Sequence, residues 1–205
     1  MRQLRCADLK PGDLMLKAHD GTIFAKLISF SERLVGQLNP LVMHAGLMFD
    51  STFIIEAQND GIGGNDLRVQ DLRYGYIVYR ASNKNMAQGA GTCAKMMFDI
   101  NQRQGTLKYN FPGLPGAVVP VSHGKARSAA GMDELLSDIL EGRGHRFFCS
   151  QFVVYVYQFV AEQNGIRGDQ VFSARDARVS PSTLASLLQK NAWFKEAGYL
   201  LPNER

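Results

Sequence analysis

Three side chains stand out because each is at odds with its surroundings: Cys149, His44 and Glu56. Cys149 lies in Gly144-His145-Arg146-Phe147-Phe148-Cys149-Ser150-Gln151, where a glycine break gives way to a long apolar run. That placement puts the thiol in the first turn of a helix. Backbone N–H groups there lack an intrahelical acceptor, and the positive end of the helix dipole favours an anion. A thiolate is stabilised in such a place, and the same N–H groups can donate to the oxyanion of a tetrahedral intermediate. The competing reading is a buried structural cysteine, because a free thiol packs as a small hydrophobe. Reactivity needs a base as well as a helix end.

His44 is the candidate base. It is the only strongly polar side chain in a run that otherwise reads as buried strand, residues 41–49. An imidazole buried there without a hydrogen bond costs about 1–3 kcal/mol, so it must have a partner. A satisfied core histidine is the bland alternative. Gly46, two residues on, lets another group come close on the same strand face. Glu56 repeats the anomaly as the single charge in Phe53-Ile54-Ile55-Glu56-Ala57. Lone charges are seldom buried unpaired. A turn centred on Asp50 sets Glu56 directly opposite His44 with both side chains on one face. The carboxylate then fixes the imidazole tautomer and leaves the other ring nitrogen for the thiol. A one-residue slip destroys the arrangement.

The rivals are weaker. His145 precedes the helix between Gly144 and Arg146, and His19 and His123 read as loop residues. No histidine pair has metal-ligand spacing, so neither a metal nor a cofactor is expected. Gly61-Ile62-Gly63-Gly64-Asn65 lacks the spacing of a phosphate loop and reads as a flexible turn. The aromatic residues of 152–159 at helical spacing read as core.

Placing these groups requires a mixed fold. Pro11-Gly12-Asp13 is a turn feeding a strand at 14–16, and residues 22–38 have helical spacing ended by Asn39-Pro40. Strands follow at 41–49, 52–57 and 76–79, with another short one at 67–72. Residues 85–104 carry a helical stripe, and 105–130 read as a long mobile loop. Further helices are expected at 132–140, at 148–163 ending in Asn164-Gly165, and at 184–189 opened by Ser180-Pro181. Clustered strands flanked by helices predict an α+β fold, an antiparallel sheet with helices packed on it. Residues 1–205 are expected to form one domain.

Bulk properties narrow the partners. The 205 residues are 45% hydrophobic and 20% charged, with a net charge of +4. No block of like charges suggests a nucleic-acid arm, although the slight basic excess suits an anionic surface. Three widely spaced cysteines, Cys6, Cys93 and Cys149, build neither a disulfide framework nor a metal pair, which points to a reducing compartment. Residues 1–16 contain no stretch of signal-peptide length. The longest apolar run, 147–160, is too short to span a bilayer. The expectation is a soluble protein, cytoplasmic at synthesis, with export possible only by a signal-independent route.

The order of motifs resembles the circularly permuted branch of the NlpC/P60 papain-like superfamily, which includes the YiiX-like and lecithin:retinol acyltransferase-like proteins. The matching elements are Pro11-Gly12-Asp13, His44-Ala45-Gly46, Glu56-Ala57 and Gly61-Ile62. They continue through Tyr76-Ile77-Val78-Tyr79-Arg80, Tyr109-Asn110, Cys149-Ser150-Gln151-Phe152-Val153 and Ser180-Pro181. The histidine precedes the cysteine, as the permuted branch implies, and the resemblance covers roughly residues 10–190. It implies a permuted papain-like fold with Cys149 as nucleophile, His44 as general base and Glu56 as the polar third member. Gln151, where many YiiX-like members have Glu, and the 111–130 segment depart from the pattern and bear on the substrate.

The leading expectation is therefore an amidase or endopeptidase acting through an acyl-enzyme thioester, with cell-wall peptides as substrate. An exported antibacterial effector fits that activity, and the sequence names no immunity or delivery partner. A lipid acyltransferase or thioesterase would use the same three residues, but no amphipathic anchor is evident. A non-catalytic binding module is the third reading, and the joint presence of Cys149, His44 and Glu56 counts against it.

Overall fold

Alternation builds the central strand. Leu14, Leu16 and Ala18 project into one buried cluster and Met15 into another on the opposite side. A strand buried on both faces needs this continuous apolar character. A computed structural model describes residues 2–19, 42–58, 61–69, 74–104, 107–109, 145–147, 149–173 and 179–201. In chain order the strands and helices are β1 (Gln3–Leu4), β2 (Leu14–His19), β3 (Val42–Met48), β4 (Phe53–Gln58), β5 (Gly61–Asp66), β6 (Tyr74–Ala81) and α1 (Lys84–Gln104). Then come β7 (Leu107–Tyr109), β8 (His145–Phe147), α2 (Cys149–Gln163), α3 (Gly168–Val171), α4 (Pro181–Gln189) and β9 (Phe194–Leu200).

The fold is α+β. Seven strands form one sheet in the order β1-β9-β6-β2-β3-β4-β5, antiparallel except where β1 runs parallel to β9. β7 and β8 make a separate parallel pair. Every residue of α2 from Cys149 to Ala161 is buried, as expected of a helix apolar all round. It packs on β3 and β4 and against α1, α3 and α4. This central helix and the strands under it form the larger core, with Phe152, Val153, Val156 and Val160 meeting Leu14, Ala45, Leu47 and Ile55 in the same cluster.

The Pro11-Gly12-Asp13 turn is fixed by contacts from three directions. Gly12 has φ of +77°, and a Cβ there would lie 2.0 Å from the Ala87 carbonyl oxygen of α1, so only glycine fits. The Tyr157 hydroxyl of α2 donates to the Gly12 carbonyl. Buried Asp13 accepts two hydrogen bonds from Arg80, Nε to Oδ1 at 2.7 Å and Nη2 to Oδ2 at 2.5 Å, and one from the Lys10 amide at 2.9 Å. The turn, β6 and the central helix are thereby locked together.

Several sequence expectations are corrected. The glycine-rich segment from Gly61 is strand β5, paired with β4 along its length. Its glycines make room: a Cβ on Gly63 would lie 2.5 Å from Gln58 Oε1, and one on Gly64 would lie 2.5 Å from the Phe53 ring. Residues 67–69 form a turn, His19 ends β2, and residues 107–109 of the expected loop form β7. Strands β1, β8 and β9 and helix α3 were not expected. β9, Phe-Lys-Glu-Ala-Gly-Tyr-Leu, lacks clean alternation, yet it pairs with β6 through a register shift between Val78 and Tyr79. The expected helices at 22–38 and 132–140, the rest of 105–130, and His123 lie outside the described residues.

Candidate active site

Cys149 is the first residue of α2 and is buried. His44 projects from β3 and Glu56 from the neighbouring β4. The structure brings the three together: His44 makes a side-chain hydrogen bond with Cys149, and its Nε2 lies 3.6 Å from Glu56 Oε1. The His44 side chain keeps 20% of its exposure and that of Glu56 only 2%, so the imidazole stands between solvent and the buried carboxylate.

The register differs from the simple expectation. Glu56 pairs with Gly46, not with His44, because the β3–β4 connection is centred one residue later than Asp50. Asp50 Oδ1 accepts from the amides of Thr52 and Phe53, both at 2.7 Å, while the Phe49 amide donates to the Phe53 carbonyl. This side-chain-capped turn sets the ladder. An offset of two residues keeps Glu56 on the same face as His44, as a diagonal neighbour rather than a direct one.

The glycines close that diagonal. Glu56 lies between Gly46 on β3 and Gly63 on β5. A Cβ on Gly46 would lie 2.7 Å from Glu56 Cγ and 2.9 Å from the Ile55 carbonyl oxygen. Without that Cβ, the glutamate side chain reclines over β3 and reaches the imidazole. A second local feature acts on His44 itself. In the β2–β3 ladder Lys17 pairs with His44 but Ala18 pairs with Val42, leaving Met43 as an extra residue. A bulge next to a functional side chain re-aims it.

Two residues that the sequence reading missed hold the carboxylate. Glu56 Oε2 accepts from Asn65 Nδ2 at 3.2 Å and from Gln58 Nε2 at 3.4 Å. Oε1 has no hydrogen-bond partner and faces the imidazole. Asn65, at the far end of a glycine run, and Gln58, at the end of its strand, carried no pattern that marked them.

Electrostatics favour a charged imidazole. Burial lowers the His44 pKa, but the Cys149 hydrogen bond and the negative charges of Glu56 and the Cys149 thiolate outweigh it, and Lys17 opposes them weakly. The net direction is upward from the ordinary imidazole value. Cys93, buried in α1 without such partners, has its thiol pushed up to about 12 by desolvation alone. A helix-terminal sulfur, an imidazole whose pKa is shifted upward and a buried carboxylate behind it can hold a thiolate–imidazolium pair. His145 lies on β8, before the helix that Cys149 opens. No protein-family model and no curated protein matches the chain.

Proposed function

We propose that this chain is a cysteine hydrolase of the permuted papain-like, NlpC/P60 kind, and that it cleaves an amide bond in a peptide substrate, cell-wall peptides being the leading class. The observation that carries the reading is the hydrogen bond between Cys149, at the start of α2, and His44, whose Nε2 faces Glu56.

With Nε2 turned to Glu56, Nδ1 is the ring nitrogen left for the sulfur. His44 takes the thiol proton, and the thiolate attacks the carbonyl carbon. First-turn backbone N–H groups of α2 receive the developing oxyanion. The imidazolium then gives its proton to the leaving amine as the C–N bond breaks, and a thioester to Cys149 remains. Water attacks that thioester while His44 accepts its proton. Expulsion of the sulfur releases the carboxylic acid and restores the ion pair. Glu56 keeps the ring oriented and stabilises its positive charge, as a buried carboxylate does behind a catalytic histidine.

The same nucleophile and base serve acyl transfer from an amide or from an ester, so the test must offer both. Among the described residues no helix is long and apolar enough to cross a membrane. Purified muropeptides and short-chain phospholipids are incubated with wild type and Cys149→Ala. Release of new amino groups from muropeptides by wild type alone is expected. Cleavage confined to the phospholipids would replace the amidase reading with an acyltransferase or lipase.

A further inference from the structure

Lys17 faces His44 across the β2–β3 ladder, on the flank opposite Glu56. His44, Lys17 and Tyr76 form one cross-strand row over β3, β2 and β6. The Lys17 ammonium lies 4.4 Å from the centroid of the Tyr74 ring, so a cation–π contact holds it in place beside the row. The side chain is half-buried, and among the described residues no carboxylate forms an ion pair with it.

A cation there works against the chemistry of the site. Like charges directly opposite one another across a ladder are destabilising, and Lys17 opposes the proton that His44 must hold. A neutral residue would serve the imidazole better. The arrangement becomes favourable when an anion enters between the two groups, because it then meets the ammonium and the imidazolium together.

We propose that Lys17 binds a carboxylate of the substrate next to the scissile carbonyl, so that the enzyme selects acidic peptides. This rests on the reading of Cys149 and His44 as nucleophile and base. A single ammonium suits a monoanion; phosphate groups are more often met by several donors or by the guanidinium fork. Lys17 is a specificity residue here and takes no part in bond breaking.

Two alkylating probes of equal size test this: iodoacetate, which carries a carboxylate, and iodoacetamide, which does not. With either, the Cys149 thiolate forms an S–C bond as the C–I bond breaks and iodide leaves. The quantity read is the ratio of the two rates at Cys149, followed by peptide mass spectrometry. Lys17→Met should lower the iodoacetate-to-iodoacetamide ratio about fivefold, the weight of one charge at short range in a water-like medium. Lys17→Arg should retain it. In His44→Ala the preference for iodoacetate should persist at reduced absolute rates. A ratio unchanged in Lys17→Met, or a preference that vanishes with the imidazole, would overturn the proposal. Failure of the underlying reading looks different: iodoacetamide would then show no preference for Cys149 over Cys93 in the wild type.

Discussion

Glu56 lies across Gly46, the residue it pairs with on β3, so closely that a methyl group on the glycine would stand 2.7 Å from Glu56 Cγ. The carboxylate reaches His44 only because that methyl group is missing. Gly46→Ala should therefore displace Glu56 and cost about 1–3 kcal/mol, the usual range for overpacking a tight interior. Urea unfolding measures the loss, and stability equal to wild type would show that Glu56 can take another path.

Glu56→Gln removes a negative charge that raises the His44 pKa. The direction of the change follows from linkage. A raised imidazole stabilises the fold fully below its unfolded value, and that contribution is lost as pH rises through the folded value. In Glu56→Gln both the imidazole titration and the loss of its stabilisation should move to lower pH. NMR titration of the His44 ring protons follows this, and an unchanged midpoint would remove Glu56 from its role.

Asn65→Leu withdraws the closer of the two donors to Glu56 Oε2 and leaves Gln58 at 3.4 Å. Leaving a buried acceptor short of a partner costs about 1–3 kcal/mol. The expected result is a stability loss in that range by urea unfolding. Asn65→Asp would put a second carboxylate beside the first and should be the more damaging exchange.

The Asp13–Arg80 pair predicts an asymmetry. Asp13 is 1% exposed and Arg80 30%. Arg80→Met strands a buried carboxylate and should cost about 3 kcal/mol, the low end for breaking a buried pair. Asp13→Ala leaves a guanidinium that can turn to solvent and should cost less. Equal losses would mean that burial of Asp13 is not what the pair compensates.

The elements carrying the three central side chains were legible because their patterns are strong. The runs that became β3 and β4 are apolar but for His44 and, before the terminal Gln58, Glu56, and α2 is mostly apolar around its circumference after a glycine break. α4 announced itself through Ser180, whose hydroxyl caps the Thr183 amide at 3.1 Å, followed by Pro181. The failures have specific causes. Gly61, Gly63 and Gly64 read as a turn by composition, whereas two of them serve to admit Gln58 and Phe53 from the next strand. β9 mixes charged and apolar residues, and a register shift breaks its pairing with β6.

Site detail was less visible still. A hydrophobic pattern specifies which face a strand buries, and both the expected and the observed register bury the same face of β4. Only the Asp50 turn chooses between them, through hydrogen bonds to Thr52 and Phe53. The bulge at Met43 and the donors on Gln58 and Asn65 depend on neighbours remote in sequence. No local pattern announces them.

The central claim is that His44 makes a nucleophile of Cys149, and site-resolved alkylation tests it most directly. Wild type and His44→Ala are treated with iodoacetamide at neutral pH, and the rate at each cysteine is read by peptide mass spectrometry. Cys149 should react at least about tenfold faster than Cys93, whose thiol stays protonated at that pH, and removal of the imidazole should erase most of the advantage. Equal rates at the two cysteines, or a Cys149 rate indifferent to His44→Ala, would contradict the account.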